Sequence, residues 1–147
     1  MKIFQSVLFL MFSLMTTSAF TAEYTVQLLT SGENGAMMIM NPGYIKINKG
    51  DVIKFVPSDS SHNAQSFSIP NGAKAFVTPM GKETQVRFEQ DGVYLYKCLP
   101  HTVMGMLGVV QVGEAINIEQ SRSDWLAVKP TIAMNKERMD QYLSEVK

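Results

Sequence analysis

Short apolar runs, each followed by turn-forming residues, fill the chain from Glu23 to about Val112. Runs this short are typical of strands, whereas a packed helix needs about ten residues or more. Gly and Pro separate many of them, and the pair Asp91-Gly92 predicts a β-hairpin. The pattern predicts an antiparallel β-sandwich or barrel. The predicted strands are 24–29, 36–40, 44–47, 52–56, 67–69, 85–88, 93–96 and 107–112.

The chain changes character after about residue 115. Asn117, with Gln120 three residues later, predicts a capped helix that Pro130 ends. A second helix is expected from there to near the C-terminus, because apolar residues recur at helical spacing. These residues are Ile132, Met139, Tyr142, Leu143 and Val146. We therefore expect one mainly β domain over residues 23–147, with two C-terminal α-helices that cover part of the sandwich.

A secretory signal peptide is predicted over residues 1–22. A basic start precedes an apolar run at 7–15, and small residues follow. The run is far shorter than the roughly 20 residues of a membrane-spanning helix, which argues against the alternative of an uncleaved anchor. Cleavage after Ala19 fits the small-residue rule, whereas cleavage after Ala22 places bulky Phe20 at the third position before the cut. We expect a periplasmic protein with no membrane span in its mature form.

Charge and cysteine content exclude two classes of protein. The 147 residues include 13 basic and 13 acidic side chains, so the formal net charge is zero. A nucleic-acid-binding domain usually has a strong basic excess, and we expect no nucleic-acid partner. The single cysteine cannot form an internal disulfide. A lone thiol in an exported protein is open to oxidation, which suggests that a ligand occupies it.

The strongest metal ligands in the chain are its one cysteine, Cys98, and its two histidines, His62 and His101. Cys98 and His101 lie three positions apart before the last predicted strand, and methionines follow at Met104 and Met106. One thiolate, two imidazoles and a thioether are the ligand set of a blue-copper electron-transfer site. Sulfur ligands favour Cu(I) and imidazole accepts both oxidation states, so such a site accepts and releases an electron with little rearrangement.

Two other interpretations explain parts of this pattern. A lone cysteine at a strand end is often a small buried residue, and a methionine in a loop is often there for packing. Zinc also binds cysteine and histidine, but closed zinc sites seldom include a thioether. A single copper site accounts for the only cysteine and both histidines at once, and we therefore prefer it.

The chain resembles the cupredoxins, the family of small blue-copper proteins, over essentially the whole mature sequence. The matching segments are 35–38, 42–46, the pair His62-Asn63, 94–101 and 104–106, together with two terminal helices that shorter members lack. The resemblance implies a cupredoxin fold, which is an antiparallel Greek-key β-sandwich or barrel, together with one copper ion in a type 1 site and a role in electron transport. It implies the copper ligands His62, Cys98, His101 and Met106, because the family's spacing selects Met106 over Met104.

The same resemblance implies that Asn63 joins the two ligand loops by hydrogen bonds. It also implies that the mature chain starts just before the first strand, which favours cleavage after Ala22. Two positions depart from the family pattern: Ser61 stands where glycine is common, and Thr102 where an aromatic residue is common. We expect these departures to affect the tuning of the site and not its ligands.

We expect an electron carrier and not an enzyme. A copper oxidase or a copper nitrite reductase needs a second copper centre, and the first site already uses both histidines. A copper storage or delivery protein is a third candidate, but Met37, Met38 and Met40 form the only dense methionine group. We expect a monomer whose partners are redox proteins. These are copper nitrite reductase or other periplasmic reductases, with cytochromes as donors.

The resemblance places the electron exit at the exposed edge of His101, within an apolar patch. Candidates for the patch are Pro100, Met104, Met37 and Pro42. Five lysines in the part of the chain that builds the site predict a basic ring around it, although they could instead only solvate turns. They are Lys46, Lys49, Lys74, Lys82 and Lys97.

Overall fold

The computed structural model describes residues 20–147, which form eight strands and two α-helices. The predicted signal peptide lies outside these residues, apart from its last three positions. No helix within 20–147 is both long and apolar enough to span a lipid bilayer. The elements are β1 (Glu23–Ser31), β2 (Met37–Asn41), β3 (Tyr44–Ile47), β4 (Val52–Pro57), β5 (Gln65–Ser68), β6 (Thr84–Arg87), β7 (Gly92–Lys97), β8 (Leu107–Val112), α1 (Ile118–Val128) and α2 (Glu137–Glu145).

The eight strands form two four-stranded sheets, which confirms the predicted mainly β sandwich with two C-terminal helices. The strand order is β2-β1-β4-β6 in the first sheet and β3-β8-β7-β5 in the second. The pairing is mixed and not wholly antiparallel as expected, because β1 runs parallel to β4 and β3 runs parallel to β8. Between the two strands of each parallel pair, the chain passes through the other sheet. No tight turn therefore joins the two strands, and only a tight turn would require them to be antiparallel.

The predicted hairpin at Asp91-Gly92 is wrong. β6 pairs with β4 in the first sheet, whereas β7 pairs with β5 and β8 in the second. Phe88, directly after β6, is buried, and its backbone bonds to that of Gly50 and of Asp51. These bonds keep Phe88 in the first sheet. The turn residues Asp91-Gly92 therefore lie where the chain crosses from the first sheet to the second.

The second sheet is buried on both faces. Alternate side chains of a strand point to opposite faces. In β7, Tyr94 and Tyr96 lie in the core between the sheets, whereas Val93 packs with the helices. Past the ends of β7 and β8 the same alternation places Cys98 and Met106 in the core between the sheets, where both are fully buried.

The helices cover the outer face of the second sheet. Asn117 precedes α1 as predicted, but its side chain does not cap the helix. It bonds instead to both backbone groups of Val93, with Oδ1 accepting at 2.7 Å and Nδ2 donating at 2.9 Å. The Gln120 side chain donates to Asp124. The predicted capping pair is therefore wrong, because backbone groups of a buried strand take the Asn117 amide as their partner.

The second helix begins later than the periodicity predicts, at Glu137. Ile132 is buried with Trp125 and Met139 in the core under the helices, although it precedes α2. Its apolar character serves packing and not helix formation.

The chain before β1 is bonded into the sandwich. The Ala22 N–H donates to Asp51 Oδ1 at 2.9 Å, and the Ala22 carbonyl accepts from the Val52 N–H at 2.9 Å. Asp51 is 2% exposed, and its other oxygen accepts from the Asn48 N–H at 2.8 Å. A buried carboxylate thus holds the start of β1 against the turn before β4.

Candidate metal centre

The four predicted ligands lie on two loops at one end of the sandwich. The histidine loop (residues 58–63) follows β4 and contains His62. The cysteine loop (residues 98–106) joins β7 to β8 and contains the other three. Because β4 and β7 belong to different sheets, the site lies where the two layers meet.

Asp59 shapes the histidine loop. Its Oδ1 accepts hydrogen bonds from the Ser61 backbone N–H, at 2.8 Å, and from the Ser61 hydroxyl. Its Oδ2 accepts from the hydroxyl of Thr30 near the end of β1. The bonds from Ser61 and Thr30 hold the pKa of Asp59 well below its usual value. Asp59 is therefore a carboxylate at neutral pH, and its hydrogen bonds fix the loop to which it belongs.

The same group of side chains orients His62. Its Nε2 lies 2.8 Å from the Thr30 hydroxyl oxygen and 3.3 Å from an Asp59 carboxylate oxygen. An imidazole whose Nε2–H is bound in this way presents Nδ1 as the free donor for a metal. Burial lowers the pKa of His62, and Asp59 offsets this only in part, so the ring is neutral at neutral pH.

Backbone hydrogen bonds fold the cysteine loop tightly. The Cys98 N–H donates to the Met106 carbonyl at 2.9 Å, and the Met106 N–H donates to the His101 carbonyl at 3.3 Å. A short 3-10 turn between them ends at Gly105, whose φ of 76° lies in the left-handed region that favours glycine. The loop therefore returns on itself and brings its ends together.

Three donor atoms converge between the loops. The Nδ1 atoms of His62 and His101 are 3.2 Å apart, and Cys98 Sγ is 3.8 Å from the first and 3.5 Å from the second. The point equidistant from all three lies about 2 Å from each, the length of a bond from an imidazole nitrogen to a metal ion such as zinc. The triangle fits a trigonal metal site, and its thiolate and imidazole donors suit copper.

Met106 and Met104 occupy different environments. Met106 is fully buried in the core that contains Cys98. Met104 lies on the 3-10 turn and is partly exposed. Only Met106 shares the buried surroundings of the thiol, which favours it as the fourth, axial donor.

Burial raises the pKa of the Cys98 thiol, and the backbone N–H groups of Asn63 and His101 offset this in part. The metal-free thiol is therefore protonated at neutral pH, and metal binding must displace that proton. The complete burial of Cys98 also keeps the sulfur away from oxidants in solution.

Asn63 joins the two loops, as the family resemblance implied. Its Oδ1 accepts from the Leu99 N–H at 2.8 Å, and the side chain is 2% exposed. The next residue, Ala64, donates its N–H to the Thr78 hydroxyl at 2.8 Å. Losing the Asn63 amide would leave a backbone N–H of the cysteine loop without its partner, which costs about 1–3 kcal/mol where the group is buried.

Several residues that support the loops were not among the predicted site residues. The Thr102 hydroxyl, noted only as a departure from the family pattern, bonds to the Cys98 carbonyl at 2.8 Å. The run from Asp59 to Ser61 is a recognisable side-chain turn signal. Thr30 and Arg138, by contrast, lie 32 and 33 positions from the loop residues they reach. No local pattern in the sequence identifies them.

Exposed apolar side chains surround this end of the molecule. Leu99 and Val103, on the cysteine loop, are 56% and 53% exposed. Pro100 is also exposed, while His101 and Met104 are partly exposed. Three further exposed methionines lie on neighbouring segments, at Met37, Met80 and Met134. We call the exposed apolar residues the apolar rim.

One predicted member of this patch, Pro42, follows the other end of β2. β2 begins at Met37, opposite Ser31, and ends at Asn41, opposite Gln27. Pro42 is exposed and precedes β3, in which Tyr44 lies opposite Val109 of β8. The Val109 N–H donates to the Gly43 carbonyl at 2.8 Å, so Pro42 lies beside the start of the strand that follows the cysteine loop. Its place in the patch stays a prediction.

The structure also corrects the predicted basic ring. Lys49 lies in the turn before β4, whereas His62 follows the opposite end of that strand. Six extended residues separate these ends by roughly 20 Å. Lys46 pairs with Gln111 in the half of β3 that runs toward the same far end. These two lysines therefore do not belong to the surface around the site.

The remaining lysines divide between the site and the sides of the sandwich. Lys82 borders the histidine loop, because the N–H of the preceding Gly81 donates to the His62 carbonyl at 2.8 Å. The ammonium of Lys97 lies 5.9 Å from the centre of the Phe67 ring. Lys74 borders a groove that Phe76 helps to line. Of the five, Lys82 is the clearest basic residue next to the ligands.

Comparisons of the sequence agree with this site. Residues 26–113 match the family of copper binding proteins described as the plastocyanin/azurin family. The pseudoazurin of Paracoccus pantotrophus is 36% identical over 130 residues, which cover 86% of each chain. The pseudoazurin of Methylorubrum extorquens is 40% identical over 111 residues, 74% of each chain. The expected resemblance to cupredoxins is confirmed.

Solved structures give the same result. Native pseudoazurin from Hyphomicrobium denitrificans superposes with a TM-score of 0.75 at 33% sequence identity, covering 85% of this chain and 98% of that one. A pseudoazurin from Sinorhizobium meliloti gives a TM-score of 0.73 at 32% identity, covering 85% and 96%. The likeness therefore extends over nearly the whole length of these proteins.

Proposed function

The chain belongs to the plastocyanin/azurin family of copper binding proteins, within its pseudoazurin branch, and on that premise we propose that it shuttles single electrons between redox proteins of the periplasm. It is a blue-copper electron-transfer protein and not an enzyme, and copper is its cofactor. Copper bound to the chain would supply a Cu(II)/Cu(I) couple, with which the protein would take one electron from a donor and give one to an acceptor in each cycle.

The ligands in this proposal are His62, Cys98, His101 and Met106. The observation that carries it is the triangle of two Nδ1 atoms and one Sγ atom, with edges of 3.2, 3.5 and 3.8 Å. The hydrogen bonds that hold both loops keep these atoms in place before a metal arrives. A donor set that is already assembled needs little movement when the charge of the metal changes.

The two histidines have different tasks in this proposal. His62 is fully buried and fixed through its outer nitrogen, so it anchors the metal within the sandwich. His101 is partly exposed and lies among the residues of the apolar rim, so its ring edge is the route by which an electron reaches the surface. Small apolar docking surfaces suit redox partners, which must separate quickly after transfer.

Export to the periplasm and the identity of the partners complete the proposal. The predicted signal peptide at residues 1–22 supports export. The acceptor we propose is a denitrification enzyme such as copper nitrite reductase, or another periplasmic reductase, with a cytochrome as donor. The carrier acts as a monomer, and Lys82 gives its docking face a local positive charge.

The visible spectrum of the copper-loaded protein tests the function. We expect intense thiolate-to-copper absorption in the oxidised protein and its loss on reduction by one electron per copper. Cys98→Ser should abolish the colour and keep the circular dichroism of the β-sandwich, because an alcohol cannot replace the thiolate donor. A colourless wild-type protein would contradict the proposed function, and a coloured Cys98→Ser variant would contradict the ligand set.

A further inference from the structure

The cysteine loop is also held from outside the sandwich, by the segment that leads into α2. We call residues 133–138 the clamp segment. The N–H groups of Ala133 and Met134 both donate to the Val103 carbonyl, at 2.9 and 3.1 Å. The Val103 carbonyl, in the 3-10 turn of the cysteine loop, thus accepts two hydrogen bonds from the clamp segment.

The next two carbonyls of the loop bond to side chains of the clamp segment. Asn135 Nδ2 donates to the Met104 carbonyl at 3.1 Å, and Arg138 Nη1 donates to the Gly105 carbonyl at 3.4 Å. Three consecutive carbonyls, ending directly before Met106, are therefore bonded to one short segment.

The two backbones also touch. A Cβ atom at Gly105 would lie 2.5 Å from the Met134 carbonyl oxygen and 2.9 Å from that of Asn135, so only glycine fits. Asn135 itself has a φ of 54°, a left-handed conformation that asparagine tolerates better than most residues. Gly105 and Asn135 thus both have the backbone conformation that lets the clamp segment lie close to the cysteine loop.

Arg138 connects the cysteine loop to a third element. The same Nη1 atom lies 3.0 Å from the Met37 carbonyl and 2.9 Å from the Met38 carbonyl of β2. Met38 has a φ of 50°, so its carbonyl is turned out of the regular strand geometry. One guanidinium thus links β2, α2 and the residue before Met106.

We propose that Asn135 and Arg138 are positioning residues for Met106, and that they set the strength of the axial bond from outside the ligand loops. The proposal rests on the ligand set given above. A weak axial thioether bond is long and easily altered, so the position of the backbone on either side determines it. Hydrogen bonds to the Met106 backbone fix one side, and the clamp segment fixes the other.

Matched substitutions test this role. Arg138→Met removes the guanidinium, and Arg122→Met makes the same change on α1, where Arg122 bonds only to Glu119 among the described side chains. Asn135→Gly removes the amide and still permits the positive φ. Each copper-loaded variant is compared in reduction potential and thiolate-to-copper spectrum. The copper-free proteins are compared in hydrogen exchange at the amide of Met106, with Leu28 in β1 as internal reference.

We expect Arg138→Met and Asn135→Gly to raise the potential, in the direction that weakening an axial donor gives. Exchange at Met106 should become about fivefold faster, the effect of one lost hydrogen bond, while Leu28 is unchanged. Arg122→Met should match the wild type in every measurement. A reduction potential equal to that of Arg122→Met in both variants would overturn the proposal, whatever the exchange rates. If Arg138→Met does not fold, Asn135→Gly decides alone.

The two proposals fail in different ways. A wild-type protein without blue colour overturns the proposed function, whatever the variants do. A blue wild type whose potential is insensitive to both substitutions overturns only the positioning role. The exchange rates, which need no copper, separate an effect on the loop from an effect on the metal.

Discussion

The two ligand loops are held at different groups. In the histidine loop the ligand side chain itself is held, by the Asp59 carboxylate and the Thr30 hydroxyl at the outer nitrogen of His62. In the cysteine loop the backbone is held, by hydrogen bonds within the loop and by hydrogen bonds to a segment more than 25 residues later. The first arrangement fixes the tautomer and charge of one donor. The second fixes the path of a backbone that supplies three donors.

The comparison shows why one site needs both arrangements. A single imidazole can be oriented from its far side, because it has a second nitrogen available for a hydrogen bond. A thiol and a thioether have no such second group, so they can be positioned only through the backbone that carries them. The following predictions test this division, beginning with the largest expected effect.

The protonation states of the two loops should differ in the metal-free protein. Burial raises the pKa of Cys98, whereas burial lowers the pKa of His62. Below the raised pKa of Cys98 the thiol keeps its proton, and copper must displace it. Cu(I) affinity should therefore rise about tenfold per pH unit from pH 7 to 9, as measured by competition with a Cu(I) chelator. An affinity independent of pH would show that the thiol is already ionised.

The axial position should respond to only one of the two methionines. Met106→Leu conserves volume and should keep the fold, at a cost below about 1.5 kcal/mol. Removing the thioether disfavours Cu(II), so the reduction potential should rise. Met104→Leu is the matched control and should leave the potential unchanged. If instead Met104→Leu raises it and Met106→Leu does not, the axial assignment moves to Met104.

The outer support of His62 should have a smaller effect. Thr30→Val removes the hydroxyl between His62 and Asp59, at a cost of about 1 kcal/mol for the lost hydrogen bond. The imidazole then becomes a weaker donor, so the potential should rise by less than in Met106→Leu. Thr25→Val makes the same change at an exposed position of β1 and should have no effect. Equal potentials in the two threonine variants would remove Thr30 from the site.

The charge beside the histidine loop should have the smallest effect. Lys82→Ala should slow electron transfer to copper nitrite reductase about twofold at low ionic strength, and the difference should vanish in salt because surface charges are screened. Lys49→Ala, at the far end of β4, should match the wild type at every salt concentration. Equal slowing by both variants would indicate an effect of net charge alone, with no local contact at Lys82.

Much of this molecule could be predicted from its sequence. Strand lengths and turn residues predicted all eight strands, because each pattern is local. The cysteine and the two histidines could be singled out because so few side chains in the chain bind metals strongly, and the structure brings these three together. The predicted hairpin failed at Phe88, whose burial in the first sheet is a tertiary contact.

The supports of the site could not be predicted for the same reason. Thr30 and Arg138 reach the ligand loops across more than 30 residues, and nothing in their own neighbourhood distinguishes them. The predicted basic ring failed for the opposite reason. Lys49 is close to His62 in the sequence but far from it in the sandwich. Closeness along an extended chain says little about which end of a strand a residue occupies.

The bond between Ala22 and Asp51 has a consequence for the maturation of the protein. A signal peptidase that cut after Ala22 would remove the N–H that Asp51 Oδ1 accepts and the carbonyl that Val52 bonds, and a buried carboxylate would lose one of its two backbone partners. A cut after Ala19 leaves both bonds intact and also satisfies the small-residue rule. The two predicted cleavage sites therefore differ in whether the mature chain keeps these first bonds of the folded domain, and cleavage after Ala22 stays a prediction.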